Sequence, residues 1–203
     1  MRLSTDFYVR NDVVAISREL IGKTLVTNFN GKLTSGIIAE TEAYNGAVDK
    51  ASHAYNNRRT ARNEIMYGMG GFSYVYLCYG IHHLFNIVTN EKDIPHAVLI
   101  RSIIPQDGIT TMLKRRNAKQ VTKKFSDGPG TISQALGILT KHSGVPLSGK
   151  AIWVEDRGIS FQKKEIVVGP RIGVDYAGKD ALLPYRFRLK ENIIKELIDE
   201  CNA

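Results

Sequence analysis

The chain has 203 residues, 43% of them hydrophobic and 24% charged, with 28 Lys and Arg against 20 Asp and Glu for a net charge of +8. That length suits one domain spanning residues 1–203 with a sizeable core, and the balanced composition excludes a disordered or low-complexity chain. The charge points to a polyanionic partner or to a solubilising surface, and by itself does not choose between them.

Cys78 and Cys201 are far apart with no CxxC spacing, which argues against a disulfide framework and a cysteine-based zinc site. The opening MRLSTDFYVRND holds no apolar leader core, and no run approaches membrane-spanning length. The expectation is an intracellular protein, in the cytoplasm or at the nucleoid, without a membrane partner.

In chain order, Asn11 or Asp12 is placed to cap a first helix in which Val13, Ile16 and Leu20 recur at helical spacing, with Gly22 ending it. TLVTNF and KLTSGIIAETEAY flank Asn30-Gly31, a strong hairpin signal because both turn positions favour positive φ. The polar stretch 45–62, with Asp49, His53, Arg58, Arg59 and Arg62, reads as a functional loop. Strand-like runs follow in FSYVYLCY, HLFNIVT and AVLIRSII.

Asp107 is placed to cap a helix reaching Arg116, and a basic, mobile segment is expected over 119–127. Thr131 would cap a short helix after GPG. AIWVED, EIVVGPRIGVD and YRFRL are strand candidates, and an amphipathic helix is predicted over 192–200. Hairpin-linked strands dominate, so the predicted class is α+β: one mixed domain with an antiparallel, curved sheet, surrounding helices and a protruding hairpin.

Glu40, Glu42 and Tyr44 alternate in phase on one strand face, as do Tyr74 and Tyr76. Such carboxylates are commonly a solvated face, and tyrosine stripes are commonly core. Buried carboxylates, by contrast, need partners such as Arg. Tyr79, just before Gly80 at a hairpin tip, is badly placed for a core and well placed to wedge between bases. His82 and His83 are adjacent, so on a strand they face opposite ways. With no HExxH or HxE…CxxC pattern, no metal is expected. The run KRRNAKQVTKK reads as a solvated surface or as phosphate contacts.

Taken in order, ELIGKTL, IIAETEAY, Asp49, SHA with TARN, MYG, YVYLCYGIHHLFN, AVLIRS, GPG with QALGI, PRIGV and PYRF span most of the chain. Together they resemble the alkyladenine (3-methyladenine) DNA glycosylase family. The resemblance implies base-excision repair. Alkylated or deaminated purines such as 3-methyladenine, 7-methylguanine, hypoxanthine and ethenoadenine would be flipped from double-stranded DNA and hydrolysed away without a cofactor, by a monomer. Residue by residue, it implies Glu42 as the base activating water, with Arg101 and the backbone carbonyl of Ile172 helping to hold that water. Tyr44 and Tyr76 would sandwich the flipped base, His53 would meet its edge, Asn86 would disfavour the amine of normal guanine, and Tyr79 would intercalate. The candidate DNA contacts are Arg58, Arg59, Arg62, Lys114, Arg115 and Arg171.

The chemistry fits these residues. A cationic purine leaves neutral, so one carboxylate that takes water's proton and stabilises the developing sugar cation suffices. Arg101 beside Glu42 is expected to keep that carboxylate ionised, and Glu40 is expected to be structural. Tyrosine faces favour electron-poor rings. No lysine occupies an evident nucleophile position, so a monofunctional enzyme without strand cleavage is expected. Two other classes remain: a lesion-binding protein without activity, against which Glu42 with Arg101 counts, and a hydrolase of free nucleosides, which needs neither wedge nor net charge.

Overall fold

The computed structural model describes residues 1–202. After a short helix α1 (Thr5–Tyr8), helix α2 (Val13–Glu19) begins at Asp12, whose carboxylate accepts from the backbone N–H groups of Val14 and Ala15 at 3.0 and 2.9 Å. Those are amides the first helical turn leaves without partners, so Asp12, not Asn11, is the cap. Ile16 and Leu20 are fully buried under the sheet.

Strands β1 (Thr24–Phe29) and β2 (Lys32–Tyr44) form the expected hairpin, with Asn30 and Gly31 at φ 53° and 75°. β2 is the spine of the molecule. Strand β5 (His96–Pro105) pairs along one edge; β1 and then strand β8 (Arg186–Leu189) share the other. A strand paired on both edges and covered on both faces is a continuous buried run, and every residue from Thr34 to Ala43 is buried. The register against β5 shifts around Glu40, an irregularity of the kind that re-aims side chains.

Strands β3 (Ser73–Cys78), β4 (His82–Thr89) and β6 (Ile152–Glu155) complete the order β3-β4-β5-β2-β1-β6, and β7 (Ile166–Gly169) joins through β8. The pairings between these strands are antiparallel. Helices α3 (Ile109–Arg116), α4 (Pro129–Leu136) and α5 (Glu191–Cys201) lie around the sheet, with Met112, Ile132, Leu136, Ile194 and Ile198 in the main core. This is the mixed α+β class with a curled antiparallel sheet. A smaller cluster of Ala54, Met66, Tyr67, Tyr74, Val88 and Ala97 packs with Tyr76 under the polar loop. No helix among the described residues is long and apolar enough to cross a membrane.

Three local expectations are corrected. Asp107 does not cap α3: its carboxylate takes the Ser35 hydroxyl at 2.6 Å and pairs with Arg157, and Gly108 at φ 72° stands at the cap. Thr131 lies inside α4, its hydroxyl donating to the Gly128 carbonyl at 2.7 Å, because the helix starts two residues earlier at Pro129. EIVVGPRIGVD stops being a strand at Gly169, where Pro170 cannot supply a ladder donor. In segment 119–127, Val121 and Phe125 are buried.

Candidate active site

The site grows from the end of β2. Glu42 is 0% exposed, and each of its oxygens is engaged. Oε2 accepts from the Tyr44 hydroxyl at 2.9 Å and from Arg101 Nη1 at 3.4 Å, while Oε1 accepts the backbone N–H of Ile172 at 2.8 Å. Arg101 arrives from β5 and reaches both carboxylates, with Nε 3.2 Å from Glu40 Oε1. Ile172 therefore approaches Glu42 through its amide N–H, a contact the sequence did not suggest.

Burial lifts the Glu42 carboxyl above its ordinary value; Arg101, the Ile172 amide and the Tyr44 hydroxyl pull the other way without reversing the shift. Arg101 lowers the proton affinity of Glu42 as expected, and the cost of removing a carboxylate from water is the larger effect on it here.

Glu40 is as buried as its neighbour and answers to three arginines. Besides Arg101, Arg186 Nη1 lies 3.2 Å from its Oε1 and Arg188 Nη1 2.7 Å from its Oε2, and Arg188 also grips Asp127 at 3.0 and 3.2 Å. The β2–β8 register puts Arg188 opposite Glu40 and Arg186 opposite Glu42. Alternating arginines in YRFRL were the only sequence signal for this cage, and only the long-range pairing gives them a partner.

Above this floor opens a cavity of about 590 Å3. It is lined by Tyr44, His53, Tyr74, Tyr76, Asn86, Arg101 and Ile172, with Arg62, Tyr79, His82 and Tyr176 among its further walls. Glu42 sits just behind the lining. The cavity thus gathers the residues expected to hold a base. Tyr74 and Tyr76 have ring centroids 5.4 Å apart, and His53 meets Tyr76 edge-on at 4.7 Å.

His53 Nδ1 is 2.8 Å from the Tyr74 hydroxyl. Burial, then the charges of Arg62 and Arg58, lower the imidazole to about 4, so it is neutral near pH 7. Burial also pushes the Tyr74 phenol up to about 12, so it keeps its proton. The pair then has the phenol donating to Nδ1 and an N–H on Nε2, a tautomer fixed by the neighbour rather than seen directly. Asn86 is buried, its amide nitrogen donating to the carbonyls of Tyr74 and Leu84 at 3.1 and 3.3 Å.

At the β3–β4 turn the Ile81 N–H donates to the Cys78 carbonyl at 3.1 Å, and Tyr79 and Gly80 both take positive φ, 50° and 72°. The Tyr79 side chain stands in solvent, 92% exposed. A left-handed tyrosine presented to water is an uncommon arrangement whose cost must be supported by the surrounding turn. Tyr176, 72% exposed with its hydroxyl donating to the Ala51 carbonyl at 3.1 Å, is a further aromatic wall that no sequence pattern signalled.

The candidate DNA contacts divide. Arg58, Arg62 and Lys114 are exposed, and Arg62 lies 4.9 Å over the Tyr76 ring. Arg59 is exposed but paired with Glu64 and Asp93. Arg115 is turned inward onto Thr34 and the Ala135 carbonyl, at 3.1 and 3.0 Å. Arg171 is buried on Asp49 with no side-chain exposure, so neither of these last two guanidiniums is presented as a phosphate contact requires. Among the described residues no group of three or more His, Cys, Asp or Glu could hold a metal ion.

The family model for methylpurine-DNA glycosylase (MPG) matches residues 6–193. The chain belongs to that family and is a DNA glycosylase, an enzyme of DNA repair. A relative in Chlamydia felis is 47% identical over 188 residues, covering 92% of this chain and 95% of its own. One in Clostridium perfringens strain 13 is 44% identical over 200 residues, covering 95% and 97%; both carry the name "Putative 3-methyladenine DNA glycosylase".

Proposed function

We propose that the tyrosine-lined cavity receives an alkylated or deaminated purine flipped out of duplex DNA, and that Glu42 activates the water that breaks the glycosidic bond. The observation that carries this reading is a fully buried carboxylate, held from three directions, directly behind a cavity walled by aromatic rings. Pure binding gains nothing from a carboxylate beside a polyanion. A base whose proton affinity is raised by burial is suited to taking a proton from water.

In this mechanism the purine slides between Tyr44 and Tyr76, and the His53 Nε2–H donates to an acceptor on its edge. Asn86 disfavours the amine of normal guanine. As the C–N bond lengthens, its electron pair goes to the base, and the sugar develops positive charge close to Glu42. Arg101 and the Ile172 carbonyl help to hold the water, and Glu42 takes its proton. With no lysine among the described residues that line the cavity, the enzyme is monofunctional and leaves an abasic site. The substrates are those of the family resemblance: 3-methyladenine, 7-methylguanine, hypoxanthine and ethenoadenine. Tyr79 fills the space the flipped base leaves, and Arg58, Arg62 and Lys114 contact phosphates. The protein works as a monomer inside the cell, where its DNA lies, and needs no metal.

The test is base release from duplexes carrying 3-methyladenine or hypoxanthine, with and without EDTA, alongside the corresponding free nucleosides. The reading requires release from duplex only, undiminished by EDTA. Release from free nucleosides at a comparable rate contradicts it.

A further inference from the structure

Arg171 has a place in the site other than the DNA contact expected of it. Its guanidinium carbon lies 4.8 Å from the centroid of the Tyr44 ring. Tyr44 lines the cavity; Arg171 does not, and its side chain has no exposure. A buried cation thus stands over one face of a ring that helps to wall the cavity.

That cation is fixed. Both terminal nitrogens bind Asp49, Nη2 at 2.9 Å, while Nη1 also donates to the Ala43 carbonyl at 2.9 Å and Nη2 to the Asp180 carbonyl at 3.1 Å. A planar fork engaged on so many acceptors cannot swing away. Tyr76 offers the contrast: the guanidinium over its ring belongs to Arg62, which is exposed and itself lines the cavity.

We propose that Arg171 is a specificity-determining residue, its charge on the hidden face of Tyr44 shifting selectivity away from cationic purines and toward neutral ones. The proposal rests on the reading that Tyr44 stacks on the flipped base. A cation against one face of an aromatic ring draws electron density from the other, so the cavity face attracts a positive base less strongly. The reaction adds to this in the same direction. When the bond to a neutral purine breaks, the electron pair leaves negative charge on the base, which a nearby positive charge favours. A cationic purine takes the same pair and departs neutral, so it gains nothing from that charge. Neutral lesions have the stronger bond to break, and Arg171 acts where they need help.

The experiment measures kcat/KM for duplexes carrying 7-methylguanine or hypoxanthine in competition. The double substitution Asp49→Asn/Arg171→Gln removes both charges and retains hydrogen-bonding groups. It is expected to raise the 7-methylguanine to hypoxanthine ratio roughly three- to tenfold. Asp49→Asn alone leaves the cation less balanced, and its ratio is expected to fall. A packing defect would slow both substrates and leave the ratio in place, so opposite shifts distinguish a charge effect from a structural one. A ratio unchanged in whichever variant folds, or one that moves the other way, overturns the proposal while the excision reading stands. A parent protein that releases neither base overturns the cavity reading and this proposal with it.

Discussion

Glu42 and Tyr79 stand at two ends of one cavity and are held in opposite ways. Glu42 is sealed on a central strand, with a phenol, a guanidinium and a backbone amide fixed on its oxygens. Tyr79 projects from a two-residue left-handed turn with almost its whole side chain in water. The floor is preorganised at the cost of burying two adjacent carboxylates, offset by a cage of arginines. The rim leaves its apolar surface unmatched until something covers it. That division suits an enzyme whose chemistry needs fixed groups and whose substrate must first be drawn out of a stack.

The largest effect should separate the two regions. Glu42→Gln is expected to lower single-turnover excision by about 10²- to 10⁴-fold, the usual contribution of a general base, while lesion-DNA affinity measured by anisotropy stays near the parent value. Retained turnover would remove Glu42 from its role. At the rim, Tyr79→Ala should raise the Kd for lesion duplex by about 5- to 100-fold, the loss expected for one stacked aromatic. Unchanged affinity would sink the wedge.

Beneath the floor, Arg188→Met takes from Glu40 its shortest ion pair and from Asp127 both of its contacts with this guanidinium. Urea unfolding near neutral pH should show a loss of about 2 kcal/mol, since a buried carboxylate that loses a partner keeps its desolvation cost. No loss would mean that Arg101 and Arg186 suffice.

The smallest effect concerns the charge on Glu42 itself. Its folded-state affinity for a proton is raised, so the ionised form costs stability at pH values above the folded pKa, and that cost disappears below the unfolded one. Glu42→Gln should therefore melt slightly higher than the parent at neutral and alkaline pH, with the advantage shrinking as pH falls through the carboxylate range. An advantage that grows on acidification would mean the carboxylate is stabilised, not strained, by its site.

Much of this architecture was legible in the sequence where the determinants are local. The Asp12 cap, the Asn30-Gly31 hairpin, the shared face of Glu40, Glu42 and Tyr44, and the exposed tip at Tyr79 all depend on residues within a few positions of one another. What was not legible depends on distant partners. Asp107 looks like a cap until Ser35 and Arg157 reach it. Arg115 and Arg171 look like surface charge until the fold supplies Thr34 and Asp49. The cage around Glu40 exists only because β8 returns to pair with β2. The upward shift of the Glu42 carboxyl was not legible for the same reason: proximity of Arg101 is visible in a strand pairing, whereas the depth of burial is a property of the whole sheet.

The most direct test of the account crosses its two regions: single-turnover base release at saturating enzyme, with Kd measured in parallel, for Glu42→Gln and Tyr79→Ala on one hypoxanthine-containing duplex. Glu42→Gln is predicted to bind normally and release base about 10²- to 10⁴-fold more slowly, whereas Tyr79→Ala binds weakly and still releases base at the parent rate once saturated. Base release by Glu42→Gln at close to the parent rate would contradict it.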